Sequence, residues 1–241
     1  MDKIFLEAKS TADVRKAVEK AVKLLPKVGK SQSLAKPNKV SVNLNQQSSS
    51  KAVTKKVGIV TTAQHKHKLK EIKDILEKRN IKAEIGGQIL GCNVDNAKKI
   101  KNKVDAFLYV GSGRFHPIEV QLETGKKVVM ANPLTDEAKV LEKQETEKLK
   151  KQQKGALLKF LSSKEIGIIV STKPGQNKFK KALELKNKIK NKNCYIFMTD
   201  TIDYDELQNF PFIECWVNTA CPRFADDKKG VVNYELVEKS L

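Results

Sequence analysis

The chain has 241 residues, 39% hydrophobic and 31% charged, and its 47 Lys and Arg against 28 Asp and Glu leave a formal net charge of +19. That length suits one large or two modest domains at roughly 100–200 residues each, and the composition excludes a wholly disordered chain. No apolar run of about 18 residues is present to span a membrane, and the opening MDKIFLEAKS lacks the form of a signal peptide.

Four cysteines are too few for a disulfide scaffold, so a soluble cytoplasmic protein with reduced thiols is expected. Only four of the basic residues are arginine (Arg15, Arg79, Arg114, Arg223), and aromatics make up 6%. Groove readers and phosphate clamps favour the planar fork of Arg, and single strands need stacking platforms. The composition therefore argues against direct nucleic-acid binding and for a lysine-rich solvated surface, whose positive field steers acidic partners.

In chain order, Lys3–Glu7 reads as a short strand. The spacing then predicts a helix over Ala12–Leu25, with Val14, Ala17, Val18, Ala21, Val22 and Leu25 on one face. The stretch at about 26–55 is rich in Lys, Ser, Asn and Gln and reads as a variable surface loop with a brief strand at Val40–Leu44. Val57–Val60 is an apolar strand, Leu69–Lys78 a helix, Ala83–Ile85 a short strand and Asn93–Lys103 a helix. Ala106–Val110 and Val128–Ala131 are further buried-type strands, and Glu137–Gln153 reads as a charged helix bridging two domains. A second alternation follows: strand Ile166–Val170, helix Lys178–Lys190, strands Tyr195–Met198 and Cys215–Val217. Strands apolar throughout and alternating with helices predict an α/β fold of two Rossmann-like units, with small parallel sheets flanked by helices and a boundary near residue 150.

No pair of cysteines has CxxC spacing, which disfavours a zinc ribbon or thioredoxin-type site. Cys194 and Cys215 sit beside or within apolar strands and read as small buried hydrophobes. Cys92 follows GQILG at the entry to a helix, and Cys221 lies in NTACPRF past a strand end, beside Arg223. Both positions suit a reactive or ligating thiolate. The YVGSGRFHP turn after Ala106–Val110 lets Gly111 and Gly113 bring backbone close to a ligand, with Arg114 and His116 as polar groups. VTTAQH, with Gln64, and VSTKPGQ, with Gln176, are two more polar strand ends. Three such turns and two loop cysteines at the carboxyl ends of strands predict a shared cleft.

In this order, GQILGCN, FLYVGSGRFHP, STKPGQ and WVNTACPR resemble the archaeal diphthamide synthase family, 2-(3-amino-3-carboxypropyl)histidine synthase, and VTTAQHKHKL is similar to its VTT-x-QH-x-HKL segment. The likeness runs over residues 1–25 and 56–235. It implies three related α/β domains, each giving one cysteine to a 4Fe-4S cluster that binds S-adenosylmethionine and cleaves its Cγ–S bond. The 3-amino-3-carboxypropyl radical so formed adds to the imidazole C2 of a histidine in translation elongation factor 2. On this resemblance residues 1–148 correspond to the middle domain, with Cys92 as its metal ligand. Residues 149–241 correspond to the last domain, with Cys221 as its ligand. Gly111, Ser112, Gly113, Arg114 and His116 belong to the cofactor pocket, with Gln64 and Gln176 as neighbours, and no catalytic residue is assigned beyond the cluster ligands.

The family's first domain and its cysteine are expected to be missing here. A separate chain is expected to supply them within a homo- or hetero-oligomer, with an electron-donor protein completing the set. Cys215, six residues before Cys221, stays open as a replacement ligand. A non-catalytic interaction module of the same fold, supporting a complete synthase, is the alternative.

Overall fold

The computed structural model describes residues 8–26, 56–226 and 228–241. The strands expected at Lys3–Glu7 and Val40–Leu44, and the variable loop beyond Pro26, lie outside the described residues. Contacts divide the chain into two compact units, Met1–Leu141 and Glu142–Leu241.

The first unit contains α1 (Arg15–Val22), β1 (Lys56–Thr61), α2 (Leu69–Lys78), β2 (Lys82–Gln88), α3 (Asp95–Ile100), β3 (Ala106–Val110), α4 (Phe115–Thr124), β4 (Lys127–Asn132) and β5 (Glu137–Val140). Its sheet has the order β2-β1-β3-β4-β5, parallel except for the antiparallel β4–β5 pair. The central strand β3, AFLYV, is buried at every position, because helices cover both faces of the sheet. On one face Val14, Ala17, Val18 and Ala21 of the α1 segment and Leu69, Ile72 and Leu76 of α2 pack on Val57, Ile59 and Leu108. On the other, Val94, Ala97, Ile100 and Val120 pack on Val60, Phe107 and Tyr109. Each large side chain so buried contributes about 1.5–3 kcal/mol of transfer free energy.

The second unit contains α5 (Lys143–Ser162), β6 (Glu165–Ser171), α6 (Phe179–Lys188), β7 (Asn193–Thr199), β8 (Cys215–Asn218), α7 (Arg223–Asp226), β9 (Val231–Asn233) and α8 (Tyr234–Glu238). Its sheet is wholly parallel, in the order β7-β6-β8-β9. Phe160 of α5, Ala182 and Leu185 of α6, and Val237 of α8 cover one face. The β7–β8 connection and the short α7 cover the other, bringing Ile202, Tyr204, Leu207 and Phe224 onto Ile169 and Trp216.

The α/β class and most strands match the sequence reading, and α2 and β3 match residue for residue. Beyond α7, β9 and α8, which the sequence reading did not contain, two segments differ. Glu137–Val140 is not helix but the antiparallel edge strand β5, because pairing with β4 outweighs the helical preference of its Glu, Ala and Lys. The charged helix begins at Lys143, and residues 148 and 149 both lie inside it. The FHP stretch, read as a turn, opens α4, where Pro117 falls in the first turn and lacks only an N–H that no intrahelical carbonyl would accept.

Candidate functional site

Both units share one strand plan: the first strand lies inside, the second to one side and the third to the other. The chain reverses its direction of winding between β1 and β3 in the first unit and between β6 and β8 in the second. Open α/β sheets bind ligands outside the carboxyl ends of strands at such points.

In the first unit the carboxyl ends of β1, β2 and β3 are tied to one another. The Thr61 hydroxyl, fully buried, donates to the Val110 carbonyl at 2.6 Å, and the Ile89 N–H donates to the Thr61 carbonyl at 2.8 Å. Past β2, Leu90 and Asn93 form a bridge, each donating its N–H to the other's carbonyl at 2.9 and 3.0 Å. Gly91 and Cys92 are therefore the tip of a tight turn, with Cys92 exposed and free. It precedes α3 rather than capping it; Asn93 Oδ1 accepts from the Asp95 N–H instead.

Gly91 packs against the ring of Phe115, and a β-carbon there would overlap that ring. This contact brings the Cys92 turn and the GSGRFHP segment together. Within that segment Gly113 has φ +77°, which glycine adopts without strain. Tyr109 Oη donates to the Ser112 carbonyl at 2.9 Å, and the His116 ring stacks on Tyr109 at 6.0 Å between centroids. Burial pushes the Tyr109 phenol well above its usual range, so it serves as a donor. Ser112, Gly113 and Arg114 are exposed. Gln64 is exposed beyond β1, and its carbonyl accepts from the Ser10 N–H at 2.9 Å.

His65, next to Gln64, was passed over by the sequence reading as a site residue. It is 4% exposed, and its Nδ1 has no hydrogen-bond partner among the described residues. Burial first, then the charges of His67 and Lys68, lower its pKa.

In the second unit Gln176 lies on the β6 loop, half-buried, with its N–H bonded to the Lys173 carbonyl at 3.0 Å. Cys221 follows β8, half-buried and free. Two buried amides fix its loop. Asn218 Nδ2 donates to the Cys221 carbonyl and to Asn233 Oδ1, both at 2.8 Å, and Asn233 Nδ2 donates to the Pro222 carbonyl at 3.0 Å. The Ala220 N–H donates to Asn218 Oδ1 at 3.0 Å, which closes a local turn. Thr219 spans to β6, its hydroxyl donating to the Ile169 carbonyl at 2.8 Å. Asn218 and Asn233 were not legible as site residues, because an asparagine at a strand end reads as an ordinary turn former.

Cys194 and Cys215 are buried in the second unit's core. Burial raises both thiols, Cys215 to about 12, so neither is a thiolate near neutral pH and Cys215 is a poor substitute ligand. The donors that fit an iron–sulfur group are thus the loop thiols Cys92 and Cys221, soft ligands left accessible at sheet ends. Among the described residues no group of three His, Cys, Asp or Glu side chains is gathered for a metal ion.

The family model described as "Putative diphthamide synthesis protein" matches residues 34–231. The 2-(3-amino-3-carboxypropyl)histidine synthase of Pyrococcus horikoshii is 33% identical over 191 residues, covering 75% of this chain and 54% of its own length. The protein of the same name from Methanocaldococcus jannaschii is 31% identical over 178 residues, 72% of this chain and 46% of its own. The chain thus spans about half the length of these relatives. The crystal structure of Dph2 from Pyrococcus horikoshii with a 4Fe-4S cluster matches with a TM-score of 0.67 and 31% identity, covering 77% of this chain and 56% of that one. A further crystal structure of Dph2 from that organism matches with a TM-score of 0.75 and 27% identity, covering 96% and 63%. Strand plan, loop thiols and sequence likeness agree, and the chain belongs to the diphthamide synthesis protein family.

Proposed function

We propose that the chain is one part of a 2-(3-amino-3-carboxypropyl)histidine synthase. It takes part in the first step of diphthamide biosynthesis, in which the 3-amino-3-carboxypropyl group of S-adenosylmethionine goes to the imidazole C2 of a histidine in translation elongation factor 2. The observation that carries this reading is the pair of free loop thiols, one at the carboxyl end of each sheet, with the Cys92 turn packed through Gly91 onto the glycine-rich segment.

Cys92 and Cys221 would hold the cluster, with a third thiolate supplied from outside residues 1–241. A 4Fe-4S cluster so held would supply the electron for breaking the Cγ–S bond of the co-substrate. The residues of the chain bind and orient. The exposed backbone of Ser112 and Gly113 would meet the methionine moiety, and the Arg114 guanidinium is of the chemistry that pairs with its carboxylate. His116, stacked on Tyr109, borders the same turn, and the amides of Gln64 and Gln176 offer further hydrogen bonds. In this reading the two units stand for the last two of three related domains, and an electron-donor protein serves the assembly in the cytoplasm. No described helix is long and apolar enough to cross a membrane.

Anaerobic reconstitution with iron and sulfide, together with a chain carrying the part of the Pyrococcus relative not matched here, tests the proposal. A brown species with visible charge-transfer absorbance that cleaves S-adenosylmethionine is expected, and Cys92→Ala or Cys221→Ala should each lose most of that absorbance. A spectrum unchanged in both variants would overturn it. The second reading is a non-catalytic module of the same fold. Normal partner binding by the doubly substituted protein, with no absorbance in the unsubstituted one, would select that reading.

A further inference from the structure

Among the described residues the sheets end in four edge strands, and these are not alike. β2 carries Lys82 and Glu84, β5 carries Glu137 and Lys139, and β9 is only three residues long. Charge and shortness are the usual means by which an edge strand avoids pairing with another chain. β7, NCYIFMT, has seven residues with no charge and no proline.

Its main chain is open on one side. The Asn193 N–H donates to the Lys164 carbonyl, and the Thr199 carbonyl accepts from the Thr172 N–H, so both ends of β7 use odd-numbered residues to face β6. Strand alternation turns the N–H and C=O groups of Cys194, Ile196 and Met198 the other way, where no described strand pairs. Beside this edge lies an aromatic cluster. Phe212 meets Tyr195 edge-to-face at 5.4 Å and Phe210 meets Phe197 at 4.7 Å, with Tyr195, Phe210 and Phe212 exposed by 39%, 36% and 51%.

The segment that carries this edge has a charge opposite to that of the chain as a whole, although Lys186 and Lys192 act on Cys194 and Lys228 lies over the Tyr204 ring at 4.8 Å. From Asn193 to Pro222 there is no Lys or Arg, but there are Asp200, Asp203, Asp205, Glu206 and Glu214. Glu214 is occupied by the N–H groups of Lys164 and Glu165. The other four are exposed, and among the described residues none of them enters an ion pair.

We propose that the β7 edge is a docking surface that takes an extended, lysine- or arginine-bearing segment of a partner protein as an added strand. Main-chain bonding supplies the pairing, the aromatic cluster receives alternate side chains, and the acidic β7–β8 connection selects positive charge. The same carboxylates repel nucleic acid and anionic membranes. The proposal is independent of the loop thiols and stands or falls without them.

The probe is a labelled peptide of alternating valine and lysine. A valine–glutamate peptide and a backbone N-methylated copy of the first serve as controls. The valine–lysine peptide should bind saturably, more weakly as salt is raised, and should slow amide hydrogen exchange at Cys194, Ile196 and Met198. The controls should bind about tenfold more weakly or worse. Met198→Pro removes only an outward N–H and so should unfold at nearly the same temperature as the parent while losing the peptide. If it does not fold, the paired exposed substitutions Tyr195→Lys and Phe212→Lys give the decisive measurement, with the same loss expected. No binding, equal binding of the N-methylated peptide, or exchange protection confined to residues outside β7 would overturn the proposal.

Discussion

His65 shows what a single buried group does to the pH response. It is almost wholly buried, with Nδ1 unbonded among the described residues, and its pKa is lowered from the ordinary value of 6.5, first by desolvation. The unfolded chain therefore takes up a proton at a higher pH than the folded one. Stability is unaffected above both values, falls as pH drops below about 6.5, and levels off below the folded value. In His65→Gln, chemical denaturation across that range should show a shallower loss of stability; an unchanged slope would remove His65 as the source. Neither His65 nor the amide pair Asn218 and Asn233 could be read as special in one sequence. Their importance lies in burial and in partners brought from distant strands, Asn233 reaching Asn218 from fifteen residues away. The cysteines were more legible, because apolar flanks around Cys194 and Cys215 already separate core thiols from loop thiols.

At the level of elements, strands buried on both faces were legible as continuous apolar runs, β3 above all, since such a run has few other folded uses. The elements that differed take their form from non-local pairing or packing. β5 exists through its ladder with β4, and α4 is anchored where its first residue, Phe115, meets the Cys92 turn. That anchor is testable. In Gly91→Ala the new methyl and the Phe115 ring compete for one space, which should cost about 1–3 kcal/mol in thermal or denaturant unfolding. Adding Phe115→Leu makes room, so the double variant should be more stable than the sum of the two single effects predicts. Strict additivity would mean that the turn and the helix do not share this contact.

For the whole molecule, +19 of net charge is spread mainly over lysines, and the compact state works against its own repulsion. Raising salt from about 0.01 M to about 0.1 M shortens the Debye length from about 30 Å to about 10 Å. The unfolding temperature should rise over that range, and a flat or falling temperature would show that local ion pairs such as Lys98–Glu123 outweigh the global field. The repeated strand plan has its own consequence. β2 and β7 are counterparts, as are β3 and β8, yet Cys92 follows β2 while Cys221 follows β8. The thiols do not obey the repeat that the strands obey, so the units are not interchangeable. A chimera with a second copy of residues 142–241 in place of the first unit would restore the order of its four parallel strands, yet leave no cysteine on the loop that corresponds to the Cys92 turn.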